Sequence, residues 1–230
     1  MPKLDVIDLG RLPWSQAWSI QQDYVAKRKS GLAPDTLLYV EHPHVITMGR
    51  NSSDSNILAS PDLLALLGVE IHEANRGGDV TYHGPGQLVG YPIFDLTPWN
   101  KDVRAYVQSL EQAVIRTLAG FDIAAHTRDG KETGVYVTLP GGSPAKICAL
   151  GVHISRWVTS HGFALNINTD LGYFQHIVPC GLTLPVTSMH ALGVCVSRQE
   201  VMHLLTRHIA EIFHHEFSTE DLQETVACLM

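Results

Sequence analysis

Some segments of the chain carry apolar residues at helical spacing, and others carry short continuous apolar runs. These two patterns predict its helices and strands. Apolar positions recur at helical spacing at 16–29, 103–118 and 201–212. Ser60 before Pro61 predicts the start of a short helix that ends at Gly68, and Ser197 with Glu200 forms a capping-box pattern before the last helix. Shorter apolar runs predict strands at 37–40, 45–48, 69–74, 88–94, 133–139, 146–155 and 157–167. The first two runs are expected to be joined by a turn at 42–44.

The order of these elements predicts an α+β fold. Many strands are interrupted by a few helices without strict alternation, which favours mixed or antiparallel sheets with flanking helices. At ~150 residues per domain, 230 residues correspond to between one and two domains. We expect a single domain over 1–230, with a small C-terminal lobe beyond about residue 175 as the alternative.

Composition and charge exclude several classes of protein. The chain is 45% hydrophobic and 17% charged, which is incompatible with disorder. Its 16 basic and 23 acidic residues give a net charge of −7, which argues against a nucleic-acid binder. Neither an N-terminal signal pattern nor an apolar stretch of ~18 residues is found, so we expect no membrane association. We expect a cytoplasmic protein.

The segment 76–87, Arg-Gly-Gly-Asp-Val-Thr-Tyr-His-Gly-Pro-Gly-Gln, is the densest unusual stretch. Its paired glycines permit positive φ and close approach of backbone N–H groups to a ligand, and its polar side chains suit an active-site wall. It matches neither a phosphate-binding loop nor a dinucleotide fingerprint. A glycine-rich hairpin with a turn histidine is the alternative.

The four cysteines form no Cys-x-x-Cys pair, which argues against a secreted disulfide scaffold. Cys180 lies between Pro179 and Gly181, neighbours that suit a thiol presented on a stiff turn. Cys148, Cys195 and Cys228 are interpreted as small buried hydrophobes or terminal thiols, and Cys180 could be the same.

Lys146 is the one basic residue in an apolar strand pattern. It is either a solvated strand end or a partly desolvated amine that can exchange protons. In the second case an adjacent ammonium would lower the pKa of a cysteine from about 8.5. The 34 residues between Lys146 and Cys180 do not establish contact.

Thirteen histidines raise the possibility of a metal site. His42 with His44, His203 with His208, and His214 with His215 lack the spacing of known zinc motifs. We therefore expect surface and capping histidines and no metal.

Four blocks of this sequence together resemble the octanoyltransferases of lipoate biosynthesis. The first is Arg-Gly-Gly-x-x-Thr-Tyr-His-x-x-Gly-Gln-x-x-x-Tyr at 76–91. Lys-Ile-Cys-Ala-Leu-Gly at 146–151, His-Gly-Phe-Ala-Leu-Asn at 161–166 and Pro-Cys-Gly at 179–181 follow in order. The resemblance spans about residues 36–190. It departs from the family at 139–144, a loose approach to Lys146, and at Phe163, where leucine is common.

The resemblance implies a fold, a reaction and a set of site residues. The fold is that of the catalytic domain of biotin and lipoate protein ligases. The reaction is transfer of an octanoyl or lipoyl group from an acyl carrier protein thioester to a lysine of lipoyl domains, with no metal or nucleotide. Cys180 would be the acyl-accepting nucleophile, and Lys146 would lower its pKa and shuttle protons. The implied substrate-binding residues are Arg76, Gly77, Gly78, Asp79, Val80, Thr81, Tyr82, His83, Ala149, Leu150, Gly151, Gly162, Phe163 and Ala164.

Three other functions are compatible with parts of the pattern. An ATP-dependent lipoate or biotin ligase would need no cysteine nucleophile. A hydrolase would use Cys180 activated by His83 or His161, with water as acceptor. A non-catalytic acyl-binding protein would form no covalent adduct.

The net charge also bears on protein partners. The implied acceptors are lipoyl domains of 2-oxoacid dehydrogenases and the glycine cleavage H protein, and the implied donor is an acyl carrier protein. Acyl carrier proteins are acidic, so a chain of charge −7 needs a local basic surface to bind one. Arg50, Arg76, Arg156, Lys27, Arg28 and Lys29 are the candidates for that surface.

Overall fold

The secondary structure comprises ten strands and four α-helices in the part of the chain described by the computed structural model, residues 1–128, 133–178 and 184–217. The strands are β1 (Leu4–Arg11), β2 (Asp35–Glu41), β3 (Val45–Met48), β4 (Glu70–Glu73), β5 (Val80–His83), β6 (Gln87–Ile93), β7 (Ala125–His126), β8 (Gly134–Thr138), β9 (Pro144–Ser155) and β10 (Val158–Asn166). The helices are α1 (Trp14–Lys29), α2 (Pro61–Leu66), α3 (Val103–Ala119) and α4 (Arg198–Phe213). Within these ranges each helix is too short or too polar to span a bilayer.

The strands form a large sheet and a small one. The large sheet has the order β1-β2-β6-β10-β9-β8-β7, and only the β1–β2 pair is parallel. The small sheet has the order β4-β3-β5, with β3 parallel to β4 and antiparallel to β5. Mixed sheets with flanking helices confirm the predicted α+β class.

Both faces of the large sheet are covered, which explains its continuous apolar strands. On β2, Leu37 and Tyr39 pack with α3 and α4, whereas Leu38 and Val40 pack with α1. A strand buried on both faces needs apolar residues at successive positions rather than alternate ones. The run at 37–40 therefore reflects two cores separated by one sheet.

The helix ends follow the predicted capping signals. The Ser60 side chain accepts a hydrogen bond from the Leu63 N–H, with proline in the first helical turn. Ser197 and Glu200 form the reciprocal capping box of α4, and Gly120 caps α3. These predictions are confirmed because capping depends on neighbours within one turn.

Two predicted turns connect strands of different sheets. The chain bends between β2 and β3, as predicted, but the two strands do not pair with each other. For the same reason, β5 and β6 do not form the hairpin considered as the alternative for the glycine-rich segment. Strand β1 was not predicted, because Asp5 and Asp8 interrupt its apolar pattern. In the structure Asp8 forms an ion pair with Arg198 at 2.6 Å.

Candidate active site

Two cavities meet where the loops of the small sheet approach β9. The inner cavity has a volume of about 40 Å³, and the outer cavity has a volume of about 550 Å³. Gly78, Leu150 and Gly151 line both cavities, so the two adjoin at these residues. A narrow slot therefore lies next to a larger chamber.

Most of the predicted substrate-binding residues lie on these cavities. The inner cavity is lined by Arg76, Gly78, Thr81, His83, Ala149, Leu150, Gly151, Gly162, Phe163 and Ala164. Gly77, Asp79 and Lys146 line the outer cavity. Val80 and Tyr82 line neither of the two, because their side chains pack in a separate core with Ile46 and Phe174. The structure places both residues in this core, and their substrate contact stays a prediction.

The floor of the inner cavity consists of small residues on adjacent strands. Ala149 lies opposite Ala164, and Gly151 lies opposite Gly162, in the β9–β10 pair. A Cβ atom on Gly151 would lie 2.9 Å from the Gly77 carbonyl oxygen, so a larger residue would displace the loop above it. Gly78 has φ +87°, a conformation that favours glycine. Small side chains thus keep the slot open.

Other wall residues were not predicted from the sequence. The inner cavity is also lined by Trp14, Thr47, Ala74, Val89, Tyr91 and His161. Val89 and Tyr91 are two residues apart on β6, and their period-2 spacing could have placed them on one face. Trp14 begins α1, far from the glycine-rich segment in sequence, and no local signal links the two.

A buried chain of hydrogen bonds begins at the glycine-rich loop. Arg76 Nη2 donates to Thr47 Oγ1 (2.9 Å), which lies 3.3 Å from His83 Nε2. His83 Nδ1 lies 2.8 Å from Gln87 Oε1, and Gln87 Nε2 donates to Asn166 Oδ1 at 2.9 Å. Each of these side chains is buried. The sequence block at 76–87 is therefore tied to β10 by side chains as well as by the pairing of Gln87 with Asn166 in the large sheet.

The same chain of hydrogen bonds continues to the backbone of Lys146. Asn166 Nδ2 donates to the Thr187 carbonyl (3.0 Å), and the Thr187 N–H donates to the Lys146 carbonyl at 2.9 Å. The Lys146 N–H in turn donates to the Pro185 carbonyl at 2.9 Å. Three of the sequence blocks that resemble one family thus form one connected network.

Lys146 is buried rather than solvated at a strand end. Its relative exposure is 9%, and its Nζ donates to the Thr133 carbonyl at 3.3 Å. The Nζ atom also lies 5.3 Å from the centre of the Tyr136 ring, a cation–π distance. The amine is held at the wall of the outer cavity, close to the mouth of the inner one.

The histidines of the site are buried and neutral near pH 7. Burial lowers the pKa of His83 to about 3 and that of His161 to about 3. The same cause lowers the pKa of His42 to about 4. His161 Nε2 lies 2.7 Å from Asn75 Oδ1. Imidazoles this weakly basic are poor proton acceptors for a thiol.

Two histidines expected at the surface are buried. His42 is fully buried, with Nδ1 2.9 Å from the Leu12 carbonyl and Nε2 2.8 Å from the Tyr91 hydroxyl. His215 is 8% exposed and lies 2.8 Å from an Asp35 carboxylate oxygen. Over the described residues, no three His, Cys, Asp or Glu side chains are arranged to hold a metal ion.

The cysteines occupy different environments. Cys180 and Cys228 lie outside the described residues. Cys148 is buried as expected, and burial raises the pKa of its thiol. Cys195 is exposed, so its prediction as a buried hydrophobe is wrong. Its Sγ lies 3.6 Å from His190 Nδ1 in the loop before α4, where few side chains cover it.

Both flanks of the segment that contains Cys180 are anchored at the site. Before it, the Val178 N–H donates to the Asn56 carbonyl at 2.8 Å. After it, Pro185 and Thr187 bond to the backbone of Lys146.

Three of the basic residues proposed for docking are either buried or form ion pairs with acidic residues of this chain. Arg76 is 8% exposed, and its guanidinium donates to Thr47. Arg28 forms an ion pair with Asp35 at 2.6 Å beneath the sheet edge. Lys27 is paired with Asp23 at 2.6 Å on α1. Arg76 and Arg28 are therefore held in interior contacts, whereas Lys27 is exposed and stays a candidate for the docking surface.

The remaining candidates form a basic patch, defined by Lys29, Arg50, His153 and Arg156. Arg50 Nη2 lies 2.9 Å from His153 Nδ1. The positive charges of Arg50 and Lys29 add to burial in lowering the pKa of His153, and Arg156 acts in the same way on the pKa of Lys29. The patch borders the outer cavity, whose wall includes the adjacent residues 51 and 152.

Comparison with known proteins places the chain in a family. Residues 13–210 match the lipoyl protein ligase A/B catalytic domain. The octanoyltransferase of Solibacter usitatus is 59% identical over 208 residues, covering 90% of this chain and 92% of that protein. The octanoyltransferase of Acidobacterium capsulatum is 48% identical, with 93% and 91% covered.

A solved structure shows the same fold at much lower identity. The bipartite lipoate protein ligase of Thermoplasma acidophilum superposes with a TM-score of 0.74 at 18% identity, covering 97% of this chain and 90% of that one. This likeness concerns the fold alone, whereas the relatives of higher identity define the subgroup. The chain belongs to the lipoyl protein ligase A/B catalytic domain family and, within it, to the octanoyltransferases.

Proposed function

We propose that the chain transfers an octanoyl group from the thioester of an acyl carrier protein to a lysine of a lipoyl domain, through a thioester on Cys180. Lys146 lowers the pKa of Cys180 and carries the protons. The acceptors are the lipoyl domains of 2-oxoacid dehydrogenases and the glycine cleavage H protein, in the cytoplasm. Neither a nucleotide nor a metal takes part.

One observation carries this proposal: a narrow slot adjoins the chamber that contains Lys146. The slot crosses from β9 over β10 to β6, two strand spacings of roughly 4.8 Å each. An unbranched acyl chain fits such a slot with its carbonyl at Gly78, Leu150 and Gly151. Burial of the chain contributes about 0.8 kcal/mol per CH₂ group.

The chemistry proceeds in two balanced steps. The Cys180 thiolate attacks the carrier thioester, a new carbon–sulfur bond forms, and the carrier thiolate leaves with a proton from Lys146. The neutral amine of the acceptor lysine then attacks the enzyme thioester, an amide bond forms, and the Cys180 thiolate leaves. Lys146 accepts the proton released by the amine.

The alternatives fit the site less well. A Cys–His hydrolase needs an imidazole that accepts the thiol proton, but the lowered pKa of His83 and that of His161, each about 3, oppose this role. An ATP-dependent ligase is disfavoured because relatives at 48–59% identity are octanoyltransferases, whereas the ligase structure is 18% identical.

Intact-protein mass spectrometry after incubation with octanoyl-carrier protein, without ATP, tests the proposal. We expect a mass increase of one octanoyl group that hydroxylamine removes and that Cys180→Ala abolishes. Cys195→Ala is the matched control, because Cys195 is exposed and distant in sequence. Full activity of Cys180→Ala would exclude the thiol mechanism, and release of free octanoate alone in the presence of a lipoyl domain would indicate a hydrolase.

The basic patch is the proposed docking surface for the acidic carrier protein. The triple variant Lys29→Gln, Arg50→Gln, Arg156→Gln is expected to slow association with the carrier roughly tenfold at low salt, because electrostatic steering is lost. Stopped-flow association rates from 50 to 300 mM salt measure this effect and its salt dependence. Arg207→Gln, on the exposed face of α4, is the control. An unchanged rate and salt slope in the triple variant would rule the patch out.

A further inference from the structure

Glu111 is a charged residue on the buried face of α3. The buried residues of this helix are otherwise aromatic, aliphatic or threonine, and Glu111 is only 6% exposed. A carboxylate in an apolar interior is unfavourable unless specific partners stabilise it. Its position on the apolar face breaks the helical pattern, and such local conflicts are typical of functional sites.

The partners of Glu111 lie at Lys146. Glu111 Oε1 accepts a hydrogen bond from the Gly134 N–H at 3.0 Å. A Cβ atom on Gly134 would lie 3.2 Å from Lys146 Cε, so the glycine is packed against the lysine stem. The preceding residue, Thr133, supplies the carbonyl that accepts from Lys146 Nζ. The carboxylate thus holds the backbone that holds the amine.

Glu111 also interacts electrostatically with Lys146. Burial raises the pKa of Glu111, while the Gly134 N–H and the positive charge of Lys146 oppose that rise. Among the described residues, the other titratable or charged groups around the amine are Tyr136 on β8, Cys148 on β9, and Arg128 and His126, which contact the Tyr136 ring. Asp79 is a second acidic residue on the wall of the same cavity. Glu111 differs from Asp79 in that its carboxylate binds the backbone next to the carbonyl that accepts from Lys146 Nζ.

We propose that Glu111 is a positioning residue for Lys146, which fixes the 133–134 backbone around the amine and stabilises the ammonium formed when Lys146 accepts a proton. The inference rests on the proposed function, since it assigns Lys146 the proton transfers. Its largest effect falls on the second step, in which the acceptor amine gives its proton to Lys146. A base that is stabilised in its protonated form is a stronger acceptor.

Glu111→Gln separates charge from packing, because glutamine retains an oxygen for the Gly134 N–H. Single-turnover transfer from octanoyl-enzyme to a lipoyl domain is measured from pH 6.5 to 10. We expect the plateau rate to fall roughly tenfold and the apparent pKa of the profile to move down by about one unit. The KM for the octanoyl donor should stay within about twofold. Glu111→Asp should return the apparent pKa toward that of the unmodified protein.

Glu211→Gln, the same substitution on exposed α4, is the control and should leave the profile unchanged. A lower melting temperature of Glu111→Gln with an unchanged pH profile would reduce Glu111 to a packing role and overturn the inference. If Glu111→Gln does not fold, an apparent pKa of Glu111→Asp that moves down by about one unit although the carboxylate is retained would overturn it instead. Full activity of Cys180→Ala would contradict the proposed function itself, a result separate from both outcomes.

Discussion

Lys146→Met is expected to lower kcat by roughly 10²- to 10⁴-fold, the usual contribution of a positioned acid–base group. Both the loading of Cys180 and the transfer to the acceptor should slow, because Lys146 handles the proton in each step. Binding of the acyl chain should persist, since the slot is lined by residues of β6, β9 and β10 that the substitution leaves in place. Rapid-quench measurement of each half-reaction tests this expectation.

The same substitution is expected to leave the melting temperature within about 4 °C, a change of about 1 kcal/mol in the free energy of unfolding. Methionine keeps the length of the buried stem. Glu111 can take up a proton when the ammonium is lost, because burial already raises its pKa, so no charge is left buried without a partner. Lys101→Met, at an exposed position before α3, is the matched control. Turnover near that of the unmodified protein at pH 7 would remove Lys146 from the mechanism.

The free energy of unfolding is expected to fall steeply below pH 6.5 because of three buried histidines. The folded-state pKa is about 4 for His42, about 3 for His83 and about 3 for His161, against about 6.5 in an unfolded chain. Between these values the unfolded chain binds up to three more protons than the folded one. The contribution of these three neutral histidines to the free energy of unfolding is therefore complete above pH 6.5 and is lost as the pH falls toward 4.

The expected loss is about 1.4 kcal/mol per pH unit for each proton, or about 4 kcal/mol per unit for three. Between pH 6.5 and pH 4 the loss reaches about 10 kcal/mol, which is enough to unfold a domain in the lower or middle part of the usual range of about 5–15 kcal/mol. Asp35 adds to this trend, because hydrogen bonds from His215 and Arg28 lower the pKa of its carboxyl. The raised pKa of Glu111 opposes it.

Urea unfolding at half-unit steps from pH 7.5 to 5 measures the slope. His42→Gln should lower the slope of the unfolding free energy against pH by the equivalent of about one bound proton, whatever its effect on stability at pH 7. His203→Gln, on the exposed face of α4, should leave that slope unchanged. A slope of less than one proton between pH 6 and 5 would contradict the burial argument.

Helix ends, strand positions and the α+β class could be predicted because they depend on neighbours within a few residues. Ser60 and the Ser197–Glu200 pair are examples, and three of the four family-like blocks contain most of the residues that line the inner cavity. Neighbours in sequence did not determine which of these side chains face the cavity. Val80 and Tyr82 belong to the same block as Thr81 and His83, but strand alternation turns their side chains into the core of the small sheet.

Long-range packing decided the rest. The burial of His42, the separation of β5 from β6 and the position of Glu111 beside Lys146 each depend on elements that are distant in sequence. Because burial sets the desolvation of a charge, the proton affinities at this site follow from how the sheets and helices pack. The sequence by itself determined which elements form and which residue types are present for acyl transfer. Only the tertiary structure decided that a narrow slot meets a buried lysine, since a cavity is a property of surfaces brought together by folding.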